Sequence, residues 1–485
     1  MITTINKGHR GVIHTGYLFM KKAFAFLLLT LVATASSAKV TLPRMFGDGM
    51  VLQRETNANL WGQARKNTTV KVTTSWNKRT YKTTADSEGR WRLTVSTHEA
   101  GGPYTITLSD GETTTLNDVL IGEVWVCSGQ SNMEMQMKGF KAQPVEGAIA
   151  DCLHSSDDQL RMFTVKRNSQ FQPVDTVSGA WLKASPGHTR DFSATAYYFG
   201  RELRQVLHVP VGLIVASWGG SACEAWMTAD WLRAFPDAKV PQSAADIKSP
   251  NRTPTVLYNG MLHPIVGYTM RGVIWYQGED NVPRYVTYAD MLGTMVRGWR
   301  AKWQQGDFPF YYCQIAPYDY SLIGWEVNSA LLREQQARVE RQVPQTAMAV
   351  LMDAGLEYGI HPRKKRQAGE RLALLALCKT YGVEGIPDFA RYEGVEFRGD
   401  TAVVRFDRSK EWVYFDRGTT SDLFEVAGSD KVFHPAKAWI ERNRVYLRSD
   451  SVKEPKAVRY AFKNWADGDL FCDGLPVSSF RSDDW

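Results

Sequence analysis

Five apolar segments in the middle of the chain constrain its fold more than any other feature. Several are apolar almost throughout, as strands buried on both faces of a sheet must be. Between them, apolar residues recur at spacings of three and four, which is typical of amphipathic helices. Strands that alternate with helices predict an α/β fold, with a parallel sheet covered by helices on both faces. The predicted strands are residues 119–127, 211–217, 272–276, 308–315 and 346–352, and the predicted helices are 192–208, 285–303, 327–343 and 363–379.

Regions with the period-2 alternation of half-buried strands flank this domain on both sides. On the N-terminal side, Val70 and Val72 alternate with polar neighbours, and turn sequences that contain glycine separate the strands. The alternation returns after about residue 386, for example at 445–447. Short strands spaced in this way predict small β-sandwiches. We therefore expect an N-terminal β-sandwich at 39–115, the α/β domain at 116–385 and a C-terminal β-sandwich at 386–485.

The N-terminal segment has the pattern of a secretory signal peptide. Two lysines follow Met20, an apolar run covers 23–33, and Ser36 and Ala38 form a small-x-small cleavage site. The run is shorter than the roughly 20 residues that a membrane-spanning helix needs. We expect residues 1–38 to be a signal peptide, with Met20 as the initiator, cleavage after Ala38 and no membrane span after cleavage. An uncleaved anchor is the alternative. The predicted location is periplasmic or secreted.

Charge and cysteine content exclude several classes of function. The chain has a net charge of +7, but its first 38 residues hold four basic residues and no acidic one, which leaves +3. A basic face that binds nucleic acid is therefore not expected. Six cysteines without a CxxC pair predict neither a disulfide framework nor a structural zinc site. Cys127, Cys313 and Cys378 lie in apolar stretches, which predicts buried free thiols.

A serine follows the first predicted strand. Residues 127–135 are CSGQSNMEM, and Ser131 lies just past the strand, where a helix can begin at Asn132. In open α/β sheets, ligands bind beyond the carboxyl ends of the strands. The free N–H groups at the start of such a helix favour an oxyanion. Ser131 is therefore a candidate nucleophile; a helix N-cap, a common role of serine, is the alternative.

Two further strand ends carry residues that suit the same chemistry. The second strand is followed by Gly219 and Gly220, whose backbone N–H groups can approach a ligand closely because glycine has no side chain. The third is followed by Gln277 and Asn281, which offer side-chain N–H donors. Each feature alone is more typical of an ordinary turn. Their common place at the sheet edge makes them candidates.

A histidine follows the fifth predicted strand, in the sequence DAGLEYGIHP at 353–362. His361 is suited to be a general base because imidazole titrates near neutrality. A serine hydroxyl needs such a base, which a carboxylate usually holds in one tautomer. Asp353 lies on the same loop, and His263 is the main rival of His361. The sequence contains no HExxH, P-loop or GxGxxG motif, so metalloprotease, nucleotide-hydrolase and dinucleotide-binding functions lack support, and no cofactor is predicted.

The blocks around these residues resemble those of the sialate O-acetylesterase family, within the SGNH hydrolase superfamily. The similarity extends from about residue 40 to the C-terminus, and the combination is far more specific than any single block. It implies an SGNH-type sheet and an esterase that removes O-acetyl groups from sugars, notably sialic acids, without a metal. The matching blocks are GEVWVCSGQSNMEM (122–135), SWGGSACEAW (217–226), LYNGMLHP (257–264), GVIWYQGEDN (272–281) and IHP (360–362).

The resemblance also implies roles for individual residues. Ser131 would be the nucleophile and His361 the base. The oxyanion hole would comprise the N–H of Ser131, a glycine N–H at Gly219 or Gly220, and the side chain of Gln277.

The third member of the triad is where this sequence departs from the superfamily. The usual pattern places an aspartate three residues before the histidine, but this chain has Tyr358 there. A phenol that stays neutral at pH 7 does not replace a carboxylate. We expect Asp353 to orient His361, with Glu357 or a backbone carbonyl as the alternatives.

The matching blocks do not name the sugar. Sialic acid carries a carboxylate, which we expect Arg363 to bind, and we expect Trp218 to contact the sugar. Acetylated plant polysaccharide or another acetylated sugar is the alternative substrate. A noncatalytic carbohydrate-binding protein, with Trp218 or Trp226 stacked on sugar, is the alternative from another class. A pure binder, however, has no use for a strand-end serine together with a histidine.

Overall fold

The computed structural model of the chain describes residues 39–407 and 412–485. The predicted signal peptide at 1–38, with its cleavage site, lies outside the described residues. None of the helices in the described part is long and apolar enough to cross a membrane.

The N-terminal region consists of strands whose side chains alternate between buried and exposed. A sheet in the order β4-β3-β6-β7 packs near the antiparallel pair β2-β5, and β1 joins β7 in parallel. Valines such as Val70 and Val72 fill the space between the strands and are fully buried. The strands are β1 Val51–Gln53, β2 Asn57–Gln63, β3 Thr69–Thr74, β4 Thr80–Thr84, β5 Arg90–Ser96, β6 Gly101–Ser109 and β7 Thr113–Gly129.

The central sheet confirms the predicted α/β fold. Its order is β13-β12-β11-β7-β10-β8-β9, and every neighbouring pair is parallel except β8 with the edge strand β9. All five predicted strands form, and β8 and β9 were not predicted because their apolar content is low. The remaining strands are β8 Asp157–Thr164, β9 Trp181–Ala184, β10 Val211–Ser217, β11 Gly272–Tyr276, β12 Phe310–Cys313 and β13 Thr346–Ala349.

Helices cover both faces of this sheet. On one face, Phe199 of α4 packs edge-on against Trp125 of β7; on the other, Trp299 of α6 packs edge-on against Trp275 of β11. Helix α8 starts at Lys365, two residues later than predicted. The helices are α1 Ser131–Glu134, α2 Ala148–Leu153, α3 Pro186–Arg190, α4 Ala194–Leu207, α5 Ala229–Leu232, α6 Tyr288–Trp303, α7 Ala330–Gln342 and α8 Lys365–Lys379.

Strand β7 belongs to both the N-terminal sheet and the central sheet. It is 17 residues long. It pairs with β1 and β6 in its first part and with β10 and β11 in its last part. Buried Glu123 in this strand binds Arg54 and Arg271. The predicted boundary between residues 115 and 116 therefore falls inside one continuous strand.

The C-terminal region forms three small antiparallel sheets, in the orders β14-β15-β20-β19, β16-β22-β23 and β18-β17-β21-β24. Buried Arg333 of α7 ties it to the α/β domain by donating to the Lys463 carbonyl at 2.6 Å and to Ser479 Oγ at 3.0 Å. The strands are β14 Tyr392–Arg398, β15 Thr401–Phe406, β16 Val413–Phe415, β17 Phe424–Ala427, β18 Phe433–Pro435, β19 Lys437–Glu441, β20 Arg444–Arg448, β21 Ala457–Tyr460, β22 Leu470–Cys472, β23 Leu475–Pro476 and β24 Phe480–Arg481.

All six cysteines lie in the described part of the chain and are free. Cys127 and Cys313 are fully buried, as predicted, and burial raises the pKa of both thiols. Cys378 is only half-buried. The six thiols thus contribute no covalent cross-link to the fold.

Candidate active site

Ser131 is the first residue of α1 and lies two residues after the end of β7. The tight connection depends on Gly129, whose φ is +139° and where an added Cβ would lie 2.1 Å from the Tyr276 carbonyl oxygen. The Ser131 side chain is 9% exposed, and its hydroxyl has no hydrogen-bond partner among the described residues. The first N–H groups of a helix, that of Ser131 included, have no partner inside the helix. A hydroxyl and a backbone N–H, both without a partner among the described residues, therefore share one turn.

Ser131 faces a cleft at the carboxyl edge of the sheet, and His361 lines the same cleft. The walls combine apolar side chains with three acidic ones and two arginines. No Ser131–His361 hydrogen bond forms within the part of the chain that the structure describes, although the two residues share this space. The lining residues are Gln130, Ser131, Glu134, Phe140, Arg167, Gly219, Gly220, Arg252, Glu279, Asp280, Ile323, Trp325, Ile360 and His361.

The loop after β10 brings both predicted glycines to the cleft. An added Cβ at Gly219 would lie 3.3 Å from Ser131 Cβ, so the approach is close enough to favour glycine. The Gly219 N–H, however, donates to Glu134 Oε2 at 2.8 Å. The Gly220 N–H has no acceptor among the described residues. Of the two glycines, Gly220 is thus the one with a free donor.

Gln277 does not reach the cleft, which corrects the sequence-based assignment of its side chain to the oxyanion hole. It is fully buried. Its amide nitrogen donates to the Ser221 carbonyl at 3.0 Å and to Asn281 Oδ1 at 2.7 Å, and its amide oxygen accepts from Tyr288. Both ends of the amide are therefore used inside the protein. Gln277 fixes the loop between β11 and α6.

A different glutamine, Gln130, lies at the cleft. It directly precedes Ser131 and lines the cleft. Its amide oxygen accepts from the N–H groups of Gly278 and Asp280 at 3.3 and 3.4 Å, which directs the amide nitrogen away from them. That nitrogen has no partner among the described residues. The block CSGQSNMEM contains this residue. Its position directly before Ser131 is the sequence feature from which its place at the cleft could have been predicted.

His361 is oriented by an amide and not by a carboxylate. Its Nδ1 lies 2.6 Å from Gln143 Oε1, and because an amide oxygen only accepts, Nδ1 carries the proton. The ring of Phe140 packs edge-on against the imidazole, with 5.1 Å between centroids. The Phe140 and Gln143 backbones are hydrogen-bonded to each other. The hydrogen bond from Nδ1 to Gln143 therefore leaves Nε2 as the unprotonated nitrogen of the neutral imidazole.

Asp353 does not contact His361, so the prediction that it is the third triad member is wrong for this arrangement. Its carboxylate binds Arg371 with both oxygens, each at 2.6 Å. Glu357, the alternative, makes no hydrogen bond to His361 in the described part of the chain, and Tyr358 is 76% exposed. The loop turns these side chains away from the base.

Burial of His361, together with the nearby charge of Lys365, lowers its pKa to about 4. A free base at neutral pH is what a general base requires. The rival, His263, lines a different cavity with Trp61 and Arg92. It therefore has no access to Ser131.

The predicted substrate contacts lie outside the cleft. Arg363 is exposed and not among the lining residues. Trp218 is half-buried, and the guanidinium of Arg167 covers its ring at 5.4 Å from the centroid. Neither side chain lines the cleft itself, so both substrate contacts stay predictions.

Two other arginines line the cleft instead. Arg167 uses two nitrogens to bind both oxygens of Glu134. Arg252 binds Asp280 through Nε alone, at 2.6 Å, and its terminal nitrogens have no partner among the described residues. Arg252 is thus the cationic group with free donors at the cleft.

The described residues contain no group of three or more His, Cys, Asp or Glu side chains placed to hold a metal ion. The polar groups that line the cleft with Ser131 are amide, imidazole, guanidinium and carboxylate groups. These suit acid–base and nucleophilic chemistry at an ester carbonyl.

Residues 121–376 match a protein family described as carbohydrate esterase, sialic acid-specific acetylesterase. The sialate O-acetylesterase of Rattus norvegicus is 30% identical over 403 residues, which cover 70% of this chain and 73% of that protein. The sialate O-acetylesterase of Homo sapiens is 30% identical over 371 residues, 70% of each protein. The crystal structure of a carbohydrate acetylesterase from Xanthomonas citri, 36% identical, covers 92% of this chain and 100% of its own, with a TM-score of 0.84.

Proposed function

We infer from these matches that the chain belongs to the sialic acid-specific acetylesterase family of carbohydrate esterases, and we propose that it hydrolyses the O-acetyl esters of sialic acids. It is a carboxylic ester hydrolase. The observation that carries the proposed mechanism is the placement of Ser131 and His361 on one cleft, with His361 Nδ1 engaged by Gln143. This placement leaves a basic nitrogen and an unpaired hydroxyl to act together.

In the proposed first step, Ser131 Oγ attacks the acetyl carbonyl carbon and His361 Nε2 takes the hydroxyl proton. The oxygen that becomes negative accepts hydrogen bonds from the Ser131 N–H, the Gly220 N–H and the Gln130 amide nitrogen. The bond to the sugar oxygen then breaks, and that oxygen takes the proton from Nε2. The products are the free sugar hydroxyl and an acetylated Ser131.

In the second step, water attacks the acetyl group on Ser131 while His361 Nε2 takes a proton from the water. The bond between the acetyl carbon and Oγ breaks, and Oγ regains its proton from Nε2. Acetate leaves. Gln143 keeps the same imidazole nitrogen available in both steps because its oxygen accepts only from protonated Nδ1.

The proposed substrate is supported by Arg252. A sialic acid differs from most sugars by its carboxylate, and a guanidinium binds a carboxylate with two parallel hydrogen bonds. Arg252 has both terminal nitrogens free among the described residues and lies at the cleft. The apolar wall of Phe140, Ile323 and Trp325 suits the carbon face of a sugar ring and the acetyl methyl group.

The direct test compares acetate release from O-acetylated sialic acid and from acetylated xylan by the purified protein. We expect faster release from the sialic acid. Ser131→Ala and His361→Ala should each lower the rate by about 10⁴ or more, whereas His263→Ala should stay near wild type. A faster reaction on xylan would replace the proposed sugar but keep the mechanism, and activity retained in Ser131→Ala would contradict the mechanism.

We also propose that the protein is exported to the periplasm or secreted, with cleavage after Ala38. The support is the basic start, short apolar run and small-x-small end of residues 20–38. Sequencing the N-terminus of the mature protein tests this. A chain that begins at Met1 or Met20 would contradict it.

A further inference from the structure

A buried lysine lies directly behind the loop that carries His361. Lys365 is the first residue of α8 and only 1% exposed. Its ammonium group donates to Asn132 Oδ1 at 2.6 Å and to the Pro362 carbonyl at 2.8 Å. One hydrogen bond therefore reaches the residue after the nucleophile, and the other reaches the residue after the base.

Asn132 completes the connection from the other side. Its amide nitrogen donates to the Ile360 carbonyl at 3.1 Å and also to Glu279 Oε1. The carbonyls on both sides of His361 are thus held, one by Asn132 and one by Lys365. Because Asn132 is adjacent to Ser131 in α1, these bonds set where the base lies relative to the nucleophile.

The surroundings of the ammonium group contain few charges. Glu279 is its acidic neighbour and is 2% exposed; Tyr276, whose ring centroid lies 6.0 Å from Nζ, and Cys313 are the other titratable groups that face it. Glu279 Oε2 has no hydrogen-bond partner among the described residues. Burying a lysine and a glutamate with an incomplete set of hydrogen bonds costs folding free energy.

We propose that Lys365 is a positioning residue for the esterase reaction, which through Asn132 holds the His361 loop against the Ser131 helix. The inference rests on the proposed function and adds to it a residue that touches neither substrate nor the reacting atoms. It also accounts for how the base is held in place without a carboxylate partner.

The positive charge of Lys365 has a second consequence for the base. Burial lowers the pKa of Lys365 to about 7, while Glu279 opposes the shift. Below that pH the ammonium is charged, which is the range in which His361 would otherwise take up a proton. Lys365 therefore adds to the burial that keeps the imidazole free of a second proton. Within the contacts of His361, Gln143 and Phe140 are uncharged.

The test uses Lys365→Gln and Lys365→Met. Gln keeps a donor without the charge, and Met keeps the length of the stem without either. Lys364→Met is the matched control, because Lys364 is an exposed neighbour that donates only to the Asp353 carbonyl. We expect Lys365→Met to lower kcat at least tenfold with KM within twofold, Lys365→Gln to lower it less, and the control to match wild type.

A second readout does not need turnover. In protein with isotope-labelled histidine, the His361 ring signals, assigned with His361→Ala, give its titration midpoint by NMR. We expect the midpoint to rise by at least half a pH unit in Lys365→Gln and Lys365→Met and to be unchanged in Lys364→Met. If Lys365→Met does not fold, Lys365→Gln carries this measurement.

The outcomes separate the two proposals. An active wild type, with kcat within twofold and an unmoved His361 midpoint in Lys365→Gln, would overturn the role of Lys365. A wild type that releases acetate from no ester, with a moved midpoint, would overturn the proposed function while the contact between Lys365 and the His361 loop stands.

Discussion

Gln143 and His361 are 218 positions apart in the sequence and meet at 2.6 Å, amide oxygen to imidazole nitrogen. The contact fixes the tautomer of the histidine but brings no negative charge. In the proposed mechanism, the imidazolium that forms therefore lacks the stabilisation that an aspartate supplies in a serine-protease triad. This relationship makes the first of the following predictions distinct from that for a carboxylate-assisted enzyme.

Replacing Gln143 should affect catalysis, and replacing Asp353 should affect stability. Gln143→Leu removes the acceptor for Nδ1, so we expect kcat to fall by about 10–100-fold, less than the roughly 10⁴ of a lost triad aspartate. Asp353→Asn weakens the ion pair with Arg371 and should lower the melting temperature with kcat near wild type. Steady-state kinetics and thermal melts of the two variants provide the comparison. A collapse of kcat in Asp353→Asn alone would restore aspartate to the triad.

Gln130, and not Gln277, should supply the side-chain donor to the oxyanion. We expect Gln130→Ala to lower kcat by about 10²–10³ with little change in KM, as for the loss of one donor that acts in the transition state. Gln277→Ala should mainly lower the melting temperature, because three buried hydrogen bonds are lost with its amide. The reverse pattern of kcat effects would return Gln277 to the oxyanion hole.

Arg252 should distinguish charged from uncharged substrates. Arg252→Ala is expected to raise KM for O-acetylated sialic acid by about tenfold, since a charge-assisted bidentate contact is lost, and to leave KM for a neutral acetyl ester within twofold. Arg363→Ala is the matched control, as its side chain is exposed and away from the cleft. Equal effects of the two variants would show that Arg252 does not bind the carboxylate.

Activity should persist to unusually low pH. Because the pKa of His361 is lowered to about 4, the base is already free above about pH 5. We expect kcat/KM for a neutral acetyl ester to stay nearly constant from pH 7 to 5 and to fall as the pH drops through about 4. An acidic limb centred between pH 6 and 7 would show an ordinary histidine.

The same shift has a consequence for stability. The unfolded state, with a histidine pKa near 6.5, binds more protons than the folded state between about pH 6.5 and 4. The free energy of unfolding therefore decreases as the pH falls through this window. Thermal melts of wild type and His361→Gln over the same range measure the part that is due to His361.

The fold was largely predictable because long, uniformly apolar strands carry a strong signal. The strands at 211–217 and 272–276 form with the predicted bounds, and Ser131 and His361 follow from their places after such strands. Strands β8 and β9 were missed because the edge of the sheet is partly exposed, so their sequences mix charged and apolar residues.

The partners of the site residues could not be predicted in the same way. The acceptor for His361 Nδ1 is Gln143, which lies in a turn 218 positions away. Hydrophobic periodicity in the sequence does not reveal such a turn. Asp353 is close to His361 in sequence, but its carboxylate forms an ion pair with Arg371 of helix α8 instead. Likewise, both Gln130 and Gln277 follow strands. The two differ in their surroundings, since buried acceptors use the amide nitrogen of Gln277, and the sequence does not show this difference.

Strand β7 is shared by two sheets, and this limits where the chain can be recombined with a related sequence. Its N-terminal half is held by β1 and β6, and its C-terminal end leads into the turn of Ser131. A recombination breakpoint at residue 115 would separate β1 from its native partner and leave buried Glu123 with Arg271 but without Arg54. Removing one partner of a buried ion pair is destabilising. The N-terminal β region is therefore not an interchangeable module, and a chimaera that replaces it should take the whole of β7, up to the turn of Ser131, from the same parent.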